Sequence, residues 1–222
     1  MIMRFILFIV FAALVQSATA GPWLREKGKG FISTSVTGNY YFDTTNQIFL
    51  EYGLTDKTTV IADVSFLRPR FAIGGGNATL SIRRALTKLD ATSKWAYELG
   101  VGAGWVGDDV LPNIRTALTW GRGVKWGEKN GWATVEASGL WDVTYGQHVM
   151  KLDSTIGMNF TDVTAVMLQL YTARFESGSI ATIAPSIILT HKKSKFRLQI
   201  GAESQIGNRE NSAIKLSLWR DF

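Results

Sequence analysis

The feature that most constrains this chain is a two-residue alternation of apolar and polar side chains along most of its length. Across residues 95–105 the odd positions read Trp, Tyr, Leu, Val, Ala and Trp, whereas the even positions carry only Ala, Glu and Gly. The same period recurs at 60–67 and at 196–203. Period two is typical of strands with one apolar face, and the aromatic and β-branched residues in these runs favour strands as well. The sequence therefore predicts an all-β protein.

Turn-forming segments interrupt this alternation at intervals of about ten to twelve residues. The breaks on one side are short and charged, and they lie at 55–57, 88–94, 127–130, 161–162 and 191–195. The breaks on the other side lie near 39–45, 68–76, 107–112, 144–148, 176–179 and 207–211. These eleven breaks separate about twelve strands, and an even number brings both chain ends to one side. We therefore expect an up-and-down, antiparallel transmembrane β-barrel.

The first twenty residues have the three parts of a secretory signal peptide. Arg4 precedes an apolar run from Phe5 to Val15, and the small residues Ala18-Thr19-Ala20 form a cleavage site. A run of this length is too short for a membrane-spanning helix, which needs about 20 apolar residues. We predict a cleaved signal peptide at 1–20, a short periplasmic segment at 21–27 and a β-barrel at 28–222.

Alternation alone also fits a soluble sandwich or a lipocalin-like barrel, whose apolar face points inward. The aromatic spacing favours the inverted, lipid-facing arrangement. Trp95 and Trp105 are ten residues apart, which is roughly 33 Å along a strand and about 25 Å across the bilayer at a tilt of about 40°. These two side chains are therefore the predicted aromatic girdle. The polar positions also carry more charges than a soluble core would hold.

The end of the chain, NSAIKLSLWRDF, places Ile214, Leu216, Leu218 and Phe222 on one face. It resembles bacterial outer-membrane β-barrels, whose assembly machinery reads a terminal phenylalanine after alternating apolar residues. Arg220 departs from that pattern, and the neighbouring Trp219 is a candidate to compensate. With GPWLREKGKGF at residues 21–31, the chain is similar to small outer-membrane barrels of unassigned activity in alphaproteobacteria. The resemblance implies an outer-membrane location, with lipid, lipopolysaccharide and the assembly machinery as partners, and it brings no catalytic residues.

If the apolar face meets lipid, the opposite face lines the lumen and carries charges of both signs. It comprises six acids and five bases: Glu51, Asp63, Arg83, Glu98, Arg115, Glu136, Lys151, Asp153, Arg197, Glu203 and Lys215. The signs mostly alternate from strand to strand, and opposite charges on neighbouring strands stabilise each other. A paired ionic network is therefore expected inside a nearly neutral lumen.

Five glycines also fall on inward positions of two successive strands: Gly100, Gly102, Gly104, Gly121 and Gly123. Positions without side chains either leave open space or receive bulky neighbours such as Phe49, Trp132 or Tyr171. Twelve strands give a barrel radius near 12 Å, as an order-of-magnitude estimate, which inward side chains reduce to a narrow passage. The favoured hypothesis is a narrow, porin-like and non-enzymatic passage for small solutes. A structural barrel with a closed, salt-bridged lumen is the alternative.

Few residues offer other chemistry. The chain has no cysteine and two histidines, so we predict no metal, no cofactor and no catalytic residues. A third and weaker hypothesis is a lipid hydrolase at the membrane rim, with His148 as the base and Asp142, Asp153 and Ser154 within reach in sequence. The +6 net charge predicts contacts with lipid headgroups rather than with nucleic acid, because no nucleic-acid-binding motif accompanies it.

Overall fold

The computed structural model describes residues 21–222, so the predicted signal peptide lies outside the described residues. The chain forms one closed barrel in which each strand pairs with its neighbours in sequence and β1 pairs with β12. The predicted all-β, twelve-stranded antiparallel meander is confirmed. The strands are β1 Gly30–Asn39, β2 Thr44–Thr55, β3 Thr58–Arg68, β4 Gly75–Ala85, β5 Ser93–Val106, β6 Asp109–Trp126, β7 Lys129–Asp142, β8 His148–Asn159, β9 Thr164–Phe175, β10 Gly178–Thr190, β11 Phe196–Gln205 and β12 Asn208–Asp221.

Short hairpins join the strands, and glycines occupy the positions that other residues disfavour. Gly107 and Gly127 have φ values of 57° and 60°, in the left-handed region where glycine carries no steric cost. The connections after β2, β4, β6, β8 and β10 lie at the barrel end that also holds both chain ends, which we call the N-terminal mouth. The opposite end is called the far mouth. In the part of the chain that the structure describes, no helix is long and apolar enough to cross a membrane.

The two faces of the wall differ in the sense expected of a membrane barrel. On β5, Leu99 and Val101 point outward and are 56% and 65% exposed. Glu98, the residue before Leu99, points inward and is 2% exposed. Outward Leu, Ile and Val side chains recur in this way around the barrel. This is the reverse of a soluble barrel, because the apolar face lies outside, where lipid would cover it.

The last strand closes the barrel through a seam of backbone hydrogen bonds. The amide of Gly30 donates to the carbonyl of Phe222 at 2.8 Å, and the amide of Phe222 donates to the carbonyl of Gly30 at 2.9 Å. Arg220 lies over the ring of Phe196 at 5.1 Å. Trp219 does not share that face, because successive strand residues alternate and its side chain is buried in the lumen. Trp219 therefore does not supply an apolar side chain on the face that Arg220 occupies.

Candidate functional site: the barrel lumen

Five charged side chains join across the lumen in one chain of ion pairs, which we call the ionic ladder. Its members lie on β2, β4, β5, β6 and β7, and they are Glu51, Arg83, Glu98, Arg115 and Glu136. Arg83 binds Glu51 at 2.7 Å and Glu98 at 2.9 Å. Arg115 binds the other oxygen of Glu98 at 2.9 Å and Glu136 at 2.5 Å. Acid and base thus alternate along the whole ladder.

Burial explains why the ladder alternates. Arg83 is almost fully buried, and Glu51, Glu98 and Glu136 are buried with it. An ion taken out of water is costly unless opposite charges and hydrogen bonds replace its hydration. Planar guanidinium groups can bind two carboxylates at once, and Thr119 donates a further bond of 3.2 Å to Glu136. The two guanidinium groups of the ladder balance two of its three carboxylates, and Arg25 binds the third, Glu51, at 2.7 Å.

The other predicted lumen charges also lie on inward positions, in smaller groups. Asp63 on β3 accepts a hydrogen bond of 2.9 Å from Gln47. It is not a member of the ladder, because Glu51 on β2 pairs directly with Arg83 on β4. Lys215 pairs with Glu203 at 3.4 Å, and Arg197 pairs with Asp221 at 2.6 Å. The remaining two, Lys151 and Asp153, line a cavity at the far mouth.

The segment Gly21–Lys27, which we call the N-terminal segment, enters the N-terminal mouth. Arg83 donates a hydrogen bond of 3.2 Å to the carbonyl of Gly21. Arg25 binds Glu51 at 2.7 Å, and its amide donates to the hydroxyl of Thr59 at 2.9 Å. Gly21 and Pro22 are buried. The first residues of a segment expected in the periplasm thus lie inside the barrel and contact the ionic ladder, whereas Glu26 and Lys27 are exposed.

The five predicted glycines form two groups rather than one sector, because the strands are staggered. Gly121 pairs opposite Lys94, near the N-terminal mouth, whereas Gly100 pairs opposite Arg115, farther along the barrel. A Cβ on Gly121 would lie 2.6 Å from Pro22, so this glycine receives the N-terminal segment. A Cβ on Gly100 or Gly102 would meet Ser81 or Thr79 on the neighbouring strand. The other two are Gly104, which is buried, and Gly123, which is exposed on the β6–β7 hairpin.

An apolar cluster fills another part of the lumen, and of its residues sequence reasoning named only Phe49 and Trp132 as bulky inward side chains. Its buried members come from β1, β2, β3, β9, β10 and β12, and they are Phe31, Phe49, Ile61, Met167, Ile188 and Trp219, with Trp132 and Ala165 packed against them. Phe31 meets Trp219 and Phe49 edge to face, with ring centroids 5.9 and 6.4 Å apart. The signal was present, since each member lies on the inward phase of its strand.

Three of the cavities are lined by charged residues of the lumen and of its mouths. The far-mouth cavity has a volume of about 310 Å³ and is lined by Lys151, Asp153, Tyr171 and Glu203 among others. Lys151 also borders a void of about 10 Å³ beside Asp63 and Arg115. A further cavity of about 310 Å³ lies at the N-terminal mouth, between the N-terminal segment and the β4–β5 connection. The ionic ladder and the N-terminal segment separate the void from this last cavity.

The base and the nucleophile of the rim-hydrolase hypothesis, His148 and Ser154, do not meet. His148 stacks on Trp141 with ring centroids 5.4 Å apart, while Asp142 accepts hydrogen bonds from the amides of Thr144 and Tyr145. Ser154 is six residues from His148 on the same strand, about 20 Å away. A base and its nucleophile need hydrogen-bond contact. Within residues 21–222, no three His, Asp or Glu side chains are arranged to hold a metal ion.

No known protein family matches the sequence, and no curated protein matches it either. Solved structures do share the fold. The KdgM porin gives a TM-score of 0.63 at 9% identity, covering 86% of this chain and 99% of its own. The COG4313 outer membrane channel from Pseudomonas putida F1 gives 0.60 at 11% identity, covering 93% and 100%. The NanC porin gives 0.58 at 9% identity, covering 87% and 98%.

At these identities the likeness establishes the fold, and that fold is the bacterial outer-membrane β-barrel. The prediction of this architecture from alternation and from the last strand is thereby confirmed. One of the similar structures, the KdgM porin, has also been solved in complex with disordered oligogalacturonate. That ligand belongs to the KdgM porin. The solutes of this chain depend on the residues that line its own lumen.

Proposed function

We propose that this barrel is a narrow, non-enzymatic outer-membrane passage for small solutes. The observation that carries the proposal is the polar route through the lumen. It runs from the far-mouth cavity past Lys151 to the void beside Arg115, and then along the ionic ladder to the N-terminal mouth. A membrane barrel with polar residues and cavities in its interior is built for water-soluble cargo. The similarity to porins and channels supports the same conclusion.

The charges of the route favour neutral or zwitterionic solutes. The predicted lumen charges number six acids and five bases, and most of the bases are already paired with acids. Oligogalacturonate, found in the KdgM complex, is a polyanion and needs uncompensated cations. A lumen without a net positive charge repels such a chain at close range. The proposed solutes are therefore small and carry no net charge.

Size supports the same class of solutes. The far-mouth cavity holds about 310 Å³, which lies at the lower end of typical small-molecule sites, about 300–1,000 Å³. Beyond it the route narrows to the ionic ladder, whose side chains must part for a solute to pass. Each parted ion pair leaves a partly buried charge, so passage is expected to be slow and the conductance small.

Location and assembly belong to the same proposal. We expect cleavage after Ala20, insertion by the barrel assembly machinery through Ile214, Leu216, Leu218 and Phe222, and an outer face covered by lipid and lipopolysaccharide. The aromatic pair of the girdle would lie at the two headgroup levels. The resemblance to small alphaproteobacterial barrels supports an origin in that group.

The test is planar-bilayer recording from the refolded chain starting at Gly21, using only protein whose gel mobility shifts on heating. Small, discrete current steps are expected, with weak ion selectivity because the lumen is nearly neutral. In liposome-swelling assays, small neutral sugars and amino acids should enter faster than a polyanion of similar mass. Folded protein that passes neither ions nor small sugars, both with residues 21–27 and without them, would contradict the proposal.

The apolar cluster favours a second candidate, a structural barrel with a permanently closed lumen. Six buried apolar side chains bridge opposite parts of the wall and resemble the core of a soluble protein. This candidate predicts that no variant of the ladder or of the N-terminal segment creates a current. Substitutions there would change stability alone.

A further inference from the structure

Resting on the proposed channel function, we propose that the N-terminal segment is the gate of the polar route. The segment lies where the route would reach the N-terminal mouth. Gly21 contacts the ionic ladder through Arg83, and residues 22–26 form one side of the cavity at that mouth. Withdrawal of the segment would join this cavity to the ladder, and its return would separate them again.

The gate has a latch made of two contacts with the ladder. Arg83 donates to the carbonyl of Gly21 at 3.2 Å, and Arg25 pairs with Glu51 at 2.7 Å. Arg25 also lies 3.6 Å from Asp221 and over the ring of Phe31 at 4.6 Å. The side chain of Arg25 is 28% exposed, so water and salt reach this pair. The latch is therefore weaker than the ion pairs deeper in the ladder.

The N-terminal segment packs against the barrel wall at two glycines, Gly121 and Gly53. A Cβ on Gly121 would lie 2.6 Å from Cδ of Pro22 and 3.0 Å from the ring of Trp23. A Cβ on Gly53 would lie 2.1 Å from the carbonyl oxygen of Glu26. Neither glycine has a positive φ, so other residues could adopt the same backbone. The absence of a side chain at both positions makes room for the segment.

The segment can leave without unfolding the barrel. Gly28 has a φ of 77° and forms the turn between the segment and β1. Its amide donates to the carbonyl of Gly53 at 2.8 Å, and the amide of Gly53 donates to the carbonyl of Lys29 at 2.9 Å, so the chain is anchored just after the turn. When Arg25 departs, Glu51 still binds Arg83, and Arg83 still binds Glu98. The ladder therefore remains paired in the open state.

The experiment compares single-channel currents of the refolded chain starting at Gly21 with those of a chain starting at Gly28. Removal of the segment should raise the open probability or the mean conductance by about tenfold or more, since the closed population is lost. The same increase is expected from Gly121→Ala, whose new methyl group excludes Pro22. The matched control is Gly123→Ala on the same strand, where the nearest atom to a new Cβ is 4.0 Å away.

A second matched pair tests the latch and does not depend on the truncated chain. Arg25→Ala removes the ion pair with Glu51, whereas Lys27→Ala removes the same charge from an exposed position of the same segment. Arg25→Ala should raise the open probability, and Lys27→Ala should leave it unchanged. High salt should raise the open probability of the unaltered chain but not that of Arg25→Ala.

The outcomes separate the gate from the channel. If the unaltered chain conducts and the chain starting at Gly28, Gly121→Ala and Arg25→Ala conduct equally well, the gate is overturned while the channel stands. If every folded variant is silent, the proposed function is overturned and the gate with it. If Gly121→Ala fails to show the heat-dependent mobility shift, the truncated chain and Arg25→Ala decide the result.

Discussion

The ionic ladder and the apolar cluster fill the same lumen by opposite means. The ladder holds its three inner charges, Arg83, Glu98 and Arg115, each between two opposite charges, with ion pairs of 2.5 to 2.9 Å. The cluster packs aromatic and aliphatic side chains edge to face, as in a soluble core. The apolar cluster borders none of the three polar cavities, whereas Arg115 of the ladder borders the void and Arg83 contacts the N-terminal segment. Under the proposed function, the cluster is a fixed filling of the lumen and the ladder is the closed part of the polar route.

The largest expected effect breaks the ladder at its centre. Glu98→Ala leaves Arg83 and Arg115 each with one partner fewer in a buried site, so the free energy of unfolding should fall by about 3–5 kcal/mol. Denaturant unfolding in lipid vesicles, followed by tryptophan fluorescence, measures it. The control is Glu128→Ala, which removes an exposed acid from the β6–β7 turn. Equal unfolding midpoints for the two variants would remove the ladder from the account of stability.

The second prediction concerns the apolar cluster. Phe49→Ala should cost about 3 kcal/mol of unfolding free energy, because it removes a buried ring and leaves a cavity. Its conductance should not change, since a cavity lined by apolar side chains stays dry. Recording both quantities on the same protein sharpens the contrast with the ladder. A current increase comparable to that of the chain starting at Gly28 would show that the cluster, not the ladder, blocks the route.

A smaller effect is expected where the cluster meets a glycine. A Cβ on Gly157 would lie 2.1 Å from the ring of Trp132, so Gly157→Ala should destabilise the barrel by about 1–3 kcal/mol through overpacking. Gly38→Ala is the matched control, because the nearest atom to its new Cβ is 3.9 Å away. Denaturant midpoints compare the two. The packing argument fails if Gly38→Ala is the more damaging substitution.

The smallest expected effect concerns ion selectivity in the far-mouth cavity. Lys151→Met should raise the cation-to-anion permeability ratio by up to about tenfold, since a unit charge about 6 Å from an ion in water contributes ~0.7 kcal/mol, with opposite sign for a cation and an anion. Asp153→Asn on the same wall should lower the ratio by a similar factor. Reversal potentials in a salt gradient give both values. Shifts in the same direction for the two variants would mean that ions do not pass this cavity.

The sequence predicted the features of the fold that follow from the two-residue alternation of apolar and polar side chains. Strand number, the lipid-facing side and the inward phase of Glu51, Arg83 and Glu98 all follow from alternation and turn chemistry, because the phase decides the face of each side chain. The ladder was predicted as alternating charges on neighbouring strands, but the first link joins Arg83 to Glu51 across β3. Long side chains such as Arg83 can contact residues two strands away, and the alternation shows only which face a side chain is on, not which partner it contacts.

The sequence did not predict the depth at which residues of neighbouring strands lie in the barrel, or the position of a segment that lacks the apolar–polar alternation. Gly100 and Gly121 look adjacent when strands are counted, yet strand tilt places them at different depths. The N-terminal segment has no alternation, so its position inside the mouth had no signal in the pattern. Its fit is visible only when Gly53 and Gly121 are seen from the lumen. The apolar cluster was not predicted as a unit because its buried members come from six strands that only barrel closure brings together.

The most direct test of a route along the ladder uses the absence of cysteine from the chain. Ser138→Cys places a thiol beside the void that Arg115 borders, and Ser33→Cys places one opposite Phe49 and Trp219 in the apolar cluster. Both serines are buried. A charged thiol reagent, applied during bilayer recording of the chain starting at Gly28, should reduce the current through Ser138→Cys and leave Ser33→Cys unchanged. Block of Ser33→Cys with an unaffected Ser138→Cys would contradict a route along the ladder.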